Sequence, residues 1–323
     1  MDERGVDDGR RAAVRAVKGA VKEMTMAKTN KRSHIAFWLA VLAIAPHVQA
    51  DGAPRAVVYD RERGELSPGT DAPTPERMVS AIRSASPTGL TALLEYGERV
   101  ECMECIPLLQ KKLLDSDKPQ VREIAAWWLR KRPFGYARAA VRMREVAVQD
   151  GDPVRRARAA EALGEFMDVK GLPALEHAAM LDDSADVRLS AVRALGRLNA
   201  RSGHPTLVAA FEDEDARVRR AALDQVTKLV FFADRDAVAA RLADDDVDVR
   251  VRAAQLVGEL RAQAGRDGLI DLLANDEHAR VRKAAAWALG RVGGPGAQAA
   301  LLEAKTGERD PGVLDAIAVA AQM

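Results

Sequence analysis

The sequence predicts an all-α fold, an α-solenoid of about six to seven helical hairpins, on three observations. A Val-Arg segment followed by Ala and Leu at helical spacing recurs along the chain. Its clean copies begin at Val187, Val218, Val249 and Val281, spaced 31, 31 and 32 residues apart. Ala, Val and Leu dominate a composition that is 48% hydrophobic but only 4% aromatic, which suits many closely packed small helices better than one large core. The copies also carry their own punctuation: an Asp three residues before the Val (Asp215, Asp246, Asp310) fits a helix N-cap, and a Gly follows the Leu where a left-handed residue would end the helix.

Taken in chain order, residues 1–25 read as a start-site extension, with Met26 the expected true start. Lys28, Lys31 and Arg32 then precede an apolar run of about a dozen residues, followed by Val48-Gln49-Ala50. These are the three parts of a secretory signal peptide over 26–50, with cleavage after Ala50. The apolar run is too short for a comfortable membrane span. No Cys follows the cleavage site, so a lipoprotein anchor finds no support. Residues 51–73, with Gly52, Pro54, Gly64, Pro68, Gly69 and Pro73, read as a flexible linker. Residues 74–99 predict two short N-terminal capping helices, over 75–85 and 88–96.

From residue 100 to 323 the repeat governs. Earlier copies are Val121-Arg122 and, with the frame slipped by one residue, Val154-Arg155-Arg156; a degraded last copy surrounds Val313. Partner helices are expected over 172–181, 205–211, 236–242 and 267–273, so that each unit is helix, turn, helix, turn. One unit cannot bury its apolar stripe alone, and stacking against neighbours resolves this. The segment 130–136 is unlike the other units and is expected as a distinctive loop. The unit resembles the short HEAT-like repeats also found in phycobilisome lyases, over roughly residues 100–323, as an exported bacterial member of that group. The ankyrin and tetratricopeptide signatures are absent.

Two columns follow from the register. Arg122, Arg188, Arg219, Arg250 and Arg282 occupy the position after the Val. They are expected to form a structural ladder to acidic residues of adjacent turns rather than a basic stripe for an anionic partner. The position six after the Val, with position 155 as the slipped Val slot in the second copy, reads Trp127, Glu161, Arg193, Asp224, Gln255 and Trp287. A column so varied is expected to face solvent, on the helices that usually line the concave side of such stacks. Its Trp127 and Trp287, with the neighbouring Trp128, are candidate contact anchors.

Other chemistry is thin. Cys102-Met-Glu-Cys105 is the only cysteine pair and is expected as a local disulfide in an exported protein. A thiol-redox centre is the alternative. Residue 106 is Ile, so haem attachment fails, and two Cys alone do not complete a zinc site. Beyond residue 50 the histidines are His177, His204 and His278, in no metal-binding spacing. Glu176-His177 and Glu277-His278 reverse the His-Glu order of di-iron hydroxylases built on such repeats. No catalytic triad, phosphate loop or dinucleotide fingerprint appears. The net charge is +1 overall and −3 after residue 50, which disfavours nucleic acid or anionic membrane as a partner. The expected function is a non-catalytic scaffold in the cell envelope, periplasmic or secreted. It would be a monomer without cofactor or metal and without membrane insertion after signal cleavage, holding a protein or peptide on its concave face. The alternative is a lyase-like or thiol-redox accessory enzyme using Cys102 and Cys105.

Overall fold

A computed structural model describes residues 57–60, 65–68, 72–230 and 232–323. The signal segment 26–50 and the extension before it lie outside the described residues. The chain divides into two compact units, Met1–Pro173 and Ala174–Met323.

The first unit opens with an antiparallel hairpin, β1 (Val57–Asp60) and β2 (Glu65–Pro68), in the register Val57↔Pro68 to Asp60↔Glu65. Within the segment expected as a linker, this places strands at 57–60 and 65–68, a small β element beside the helices of the other described residues. Val57-Val58-Tyr59 has high strand propensity, a local signal outweighed in the sequence by the surrounding Pro and Gly. Next come α1 (Pro75–Ser84) and α2 (Pro87–Tyr96), then α3 (Cys105–Asp115), α4 (Pro119–Arg130), α5 (Pro133–Gln149) and α6 (Pro153–Phe166). Five of these six helices start on Pro, whose fixed φ and missing N–H suit the first helical turn. The expected loop over 130–136 is therefore a two-residue connection, and residues 133–136 are the first turn of α5. Helix α1 packs on α3 and α2 on α4, around Met78, Ile82, Leu90, Leu94, Leu109, Leu113 and Trp128.

Helix α7 (Leu172–Leu181) spans the boundary between the units. The second unit continues with α8 (Ala185–Leu198), α9 (His204–Ala209), α10 (Ala216–Val226), α11 (Arg235–Ala239) and α12 (Val247–Glu259). It ends with α13 (Arg266–Asn275), α14 (Ala279–Val292), α15 (Pro295–Gly307) and α16 (Pro311–Ala320). Short 3₁₀ turns extend α9 and α11. The Val-Arg helices α8, α10, α12, α14 and α16 pack in series. Val187, Val218, Val249, Val281 and Val313 are each fully buried, as are Ala191, Ala222, Ala253 and Ala285 one turn on. Each such Val contributes about 1.5–3 kcal/mol relative to exposure, and the Ala residues let the helices approach. The N-caps form as the spacing suggests: Asp215 accepts from Arg217 N, Asp246 from Asp248 N and Val249 N, and Asp310 from Val313 N.

The recurrent glycines have a different role from the expected one. Gly196, Gly258 and Gly290 lie inside their helices, and the left-handed residues are Met167, Asn199 and Arg261, at φ 54°, 47° and 48°. A Cβ on Gly258 would stand 2.9 Å from Ala288 Cα, and one on Gly290 would stand 2.8 Å from Ala320 Cα. Gly258 and Gly290 are where consecutive Val-Arg helices touch backbone to backbone, a contact only Gly permits, whereas Gly196 faces the Gln225 side chain.

Candidate binding face

The position after the Val builds a buried ladder in the second unit. Arg188 donates through Nε and Nη2 to Asp213 at 2.8 and 2.9 Å. Arg219 donates in the same way to Asp244, at 2.8 and 2.6 Å. Arg282 grips Glu308 at 2.7 and 3.0 Å, and Arg250 donates from Nε to Asp276 at 2.8 Å. The third nitrogen, Nη1, is spent on a main-chain carbonyl six residues back: Arg188 to Asp182, Arg219 to Asp213, Arg250 to Asp244, Arg282 to Asp276. Asp213, Asp244 and Asp276 thus serve two arginines each, by side chain to one unit and by carbonyl to the next. Their carboxylates also accept a backbone N–H two residues on, as does Glu308. The side chains of Asp244, Asp276 and Glu308 are nearly buried, yet every one is paired and hydrogen-bonded, the condition under which a buried charge is tolerated. The Arg282 hydrogen bond is the main cause that lowers Glu308 to about 2, while the Asp213 hydrogen bond raises Arg188.

In the first unit the same position is less regular. Arg122 reaches Ser116 O at 3.0 Å and Glu161 at 3.2 Å, the latter an exposed residue of the varied column. Arg156, not Arg155, makes the six-back carbonyl bond, to Asp150 at 2.9 Å. The slipped frame, with its Val slot at 155, already places Arg156 in the ladder position, although the expected ladder did not include it. A buried ion pair outside the repeat pattern also went unread: Asp168 accepts from Arg144 at 2.6 Å and from Tyr136 OH at 3.2 Å.

With the ladder groups consumed by stacking, the other side of these helices is what solvent meets. Arg193 is exposed; Asp224, Gln255, Trp287 and, in the first unit, Trp127 are half-buried. Asp224 pairs with Arg252 at 2.7 Å. Trp127 carries Lys131 Nζ 4.0 Å above its ring. Trp128 does not belong to this surface. It is fully buried, donates Nε1–H to Gly97 O at 3.2 Å and lies beneath the Arg132 guanidinium, because one residue along a helix turns about 100° and points Trp128 into the core. Trp127 and Trp287 belong to different units, so each anchors its own stretch of surface. Trp287, with Arg291 5.3 Å from its ring centre, forms the floor of a groove of about 520 Å³. Val251, Ala284, Ala316 and Val319 complete that floor, and Gln255 stands at its edge.

Cys102 and Cys105 are joined in a disulfide at the start of α3, with Cα atoms 5.2 Å apart and both residues buried. Beside them, the Glu101 carboxylate is buried with Arg132 at 4.0 Å; burial pushes it up, partly offset by that arginine. His278 takes the N-cap position of α14, His204 begins α9, and His177 lies on α7, where burial lowers it. Among the described residues no group of His, Cys, Asp and Glu is arranged to hold a metal, and no helix is long and apolar enough to cross a membrane.

Residues 106–184, 172–239 and 235–322 each match the family described as HEAT repeats. The chain belongs to the HEAT-repeat family. Its fold is also found in the Escherichia coli protein YibA, at 15% identity and TM-score 0.51, covering 76% of this chain and 92% of that one. Importin beta aligns at 14% identity and TM-score 0.56, over 76% of this chain and 41% of importin beta. The CpcE–CpcF phycocyanin lyase of Nostoc aligns at 18% identity over 80% of this chain and 98% of that one, with a TM-score of 0.34, too loose a likeness to argue from. Among curated proteins no sequence matches this chain. As a HEAT-repeat protein it is a helical scaffold, and its structural likenesses speak to that fold alone.

Proposed function

We propose that this HEAT-repeat chain is a non-catalytic adaptor of the cell envelope, periplasmic or secreted, that holds a protein or peptide on the face lined by its Val-Arg helices. One observation carries the reading. In the second unit the repeat fixes the ladder arginines Arg188, Arg219, Arg250 and Arg282 in stacking but leaves the column six after the Val (Arg193, Asp224, Gln255, Trp287) both varied and at the surface, ending on the apolar groove at Trp287. A surface whose scaffold repeats while its outward residues differ is suited to binding one extended partner. The signal-like segment 26–50 supports the envelope assignment. A pull-down from envelope extract tests the function: the protein should retain a saturable partner that Trp127→Ala/Trp287→Ala loses. Equal retention by both forms would reject it. Export is tested separately, by finding mature chain beginning at Asp51 in the periplasmic fraction.

A further inference from the structure

We infer that the Trp287 groove takes an acidic, extended peptide segment, seating one bulky apolar side chain on its floor. The inference rests on the adaptor reading and adds the chemistry of the partner. The floor is apolar, lined by Val251, Ala284, Trp287, Ala316 and Val319, and about 520 Å³ accommodates one large side chain with its flanking backbone. Val319 is 55% exposed and Trp287 half-buried, so a ligand here would remove apolar surface from water at little rearrangement cost.

The rim selects by charge. Arg280 and Lys283, both exposed, project from the first turns of α14 and line the groove. Asp248 is shared between two cations, at 3.2 Å from Arg220 and 2.6 Å from Arg280, so one carboxylate answers two guanidinium groups. Lys283 has no ion pair among the described residues. Against these cations the groove itself contributes one carboxylate, Asp315. The surplus is local: the chain after residue 50 is net negative, so the cations here are not a sample of a generally basic surface. An acidic segment is complementary to this rim, whereas a basic one would meet like charge.

A random dodecapeptide library panned on the full chain tests this. Peptides rich in Glu and Asp around a single Leu, Phe or Trp should be enriched. A synthetic consensus should bind saturably by fluorescence anisotropy and weaken as salt is raised from 50 to 300 mM. Its affinity should fall roughly five- to tenfold in Lys283→Glu, an exposed change that leaves the core intact, and binding should vanish when the apolar residue becomes Ser. Enrichment of neutral or basic peptides that Trp287→Ala abolishes would overturn the acidic preference and leave the adaptor reading standing. No enrichment over Trp287→Ala would overturn both. Heparin binding as tightly as the consensus, with the same loss in Lys283→Glu, would also overturn the proposal and point to a polyanion.

Discussion

At the scale of single residues, the charged groups of this protein divide by depth. Arg219 and Arg217 are two positions apart on α10, yet the first spends its guanidinium on a nearly buried Asp244 and the Asp213 carbonyl, while the second bridges Asp186 and Asp215 in water. Arg219→Ala takes from the buried Asp244 carboxylate its bidentate partner, leaving the Asp246 N–H and Arg241 at 3.8 Å, and should cost about 3 kcal/mol in urea unfolding; Arg217→Ala should cost under about 1 kcal/mol. Arg219→Lys should recover only part of the loss, because an ammonium cannot hold a carboxylate side-on and a carbonyl together. Glu308 supplies a pH signature. Its folded value is depressed to about 2 from an ordinary 4.5, so its contribution is complete above about pH 4.5 and disappears as pH falls towards 2. The stability gap between wild type and Glu308→Gln should be constant near neutrality and close over that interval, as followed by thermal melts at each pH. The arginines of this ladder were legible from their repetition. Their double use of the turn acids was not, since a carbonyl acceptor leaves no trace in residue type.

At the scale of elements, the helix-to-helix contact is set by glycine. Gly258→Ala would gain about 1 kcal/mol of helix propensity, but its Cβ would stand 2.9 Å from Ala288 Cα, a backbone atom that cannot swing aside. Overpacking should win, for a net loss of about 1–3 kcal/mol measured by urea unfolding. Sequence alone read these glycines as helix ends because both roles place Gly directly after a buried Leu or Val; the two differ only in whether another helical turn follows. The same proximity misled at Trp127-Trp128, where neighbours in sequence stand about 100° apart around one helix, one at the surface and one in the core. The disulfide pins the start of α3. In the chain-entropy account so short a loop is worth roughly 2 kcal/mol, a loss expected on reduction or in Cys102→Ser/Cys105→Ser and read from the melting temperature.

At the scale of the whole chain, the repeats were legible from residue 100 onward, because a fixed period with buried Val and Ala admits few other folds. The short hairpin at 57–68 was obscured by its Pro- and Gly-rich surroundings, and the groove because it is assembled from three helices some 30 residues apart in sequence. Removing residues 307–323 would strip α16 from α14, leaving the Gly290 contact without its cover. The truncated protein should aggregate, by light scattering after size exclusion; a monomer of equal stability would show that α16 is dispensable. The shared turn acids have a consequence for how such a chain lengthens. Because Asp213, Asp244 and Asp276 each offer a carboxylate backward and a carbonyl forward, any block cut between two of them carries matching joints at both ends. Tandem duplication of one block would therefore splice into the ladder without new pairing chemistry, and the gene could gain or lose units while every junction stays saturated.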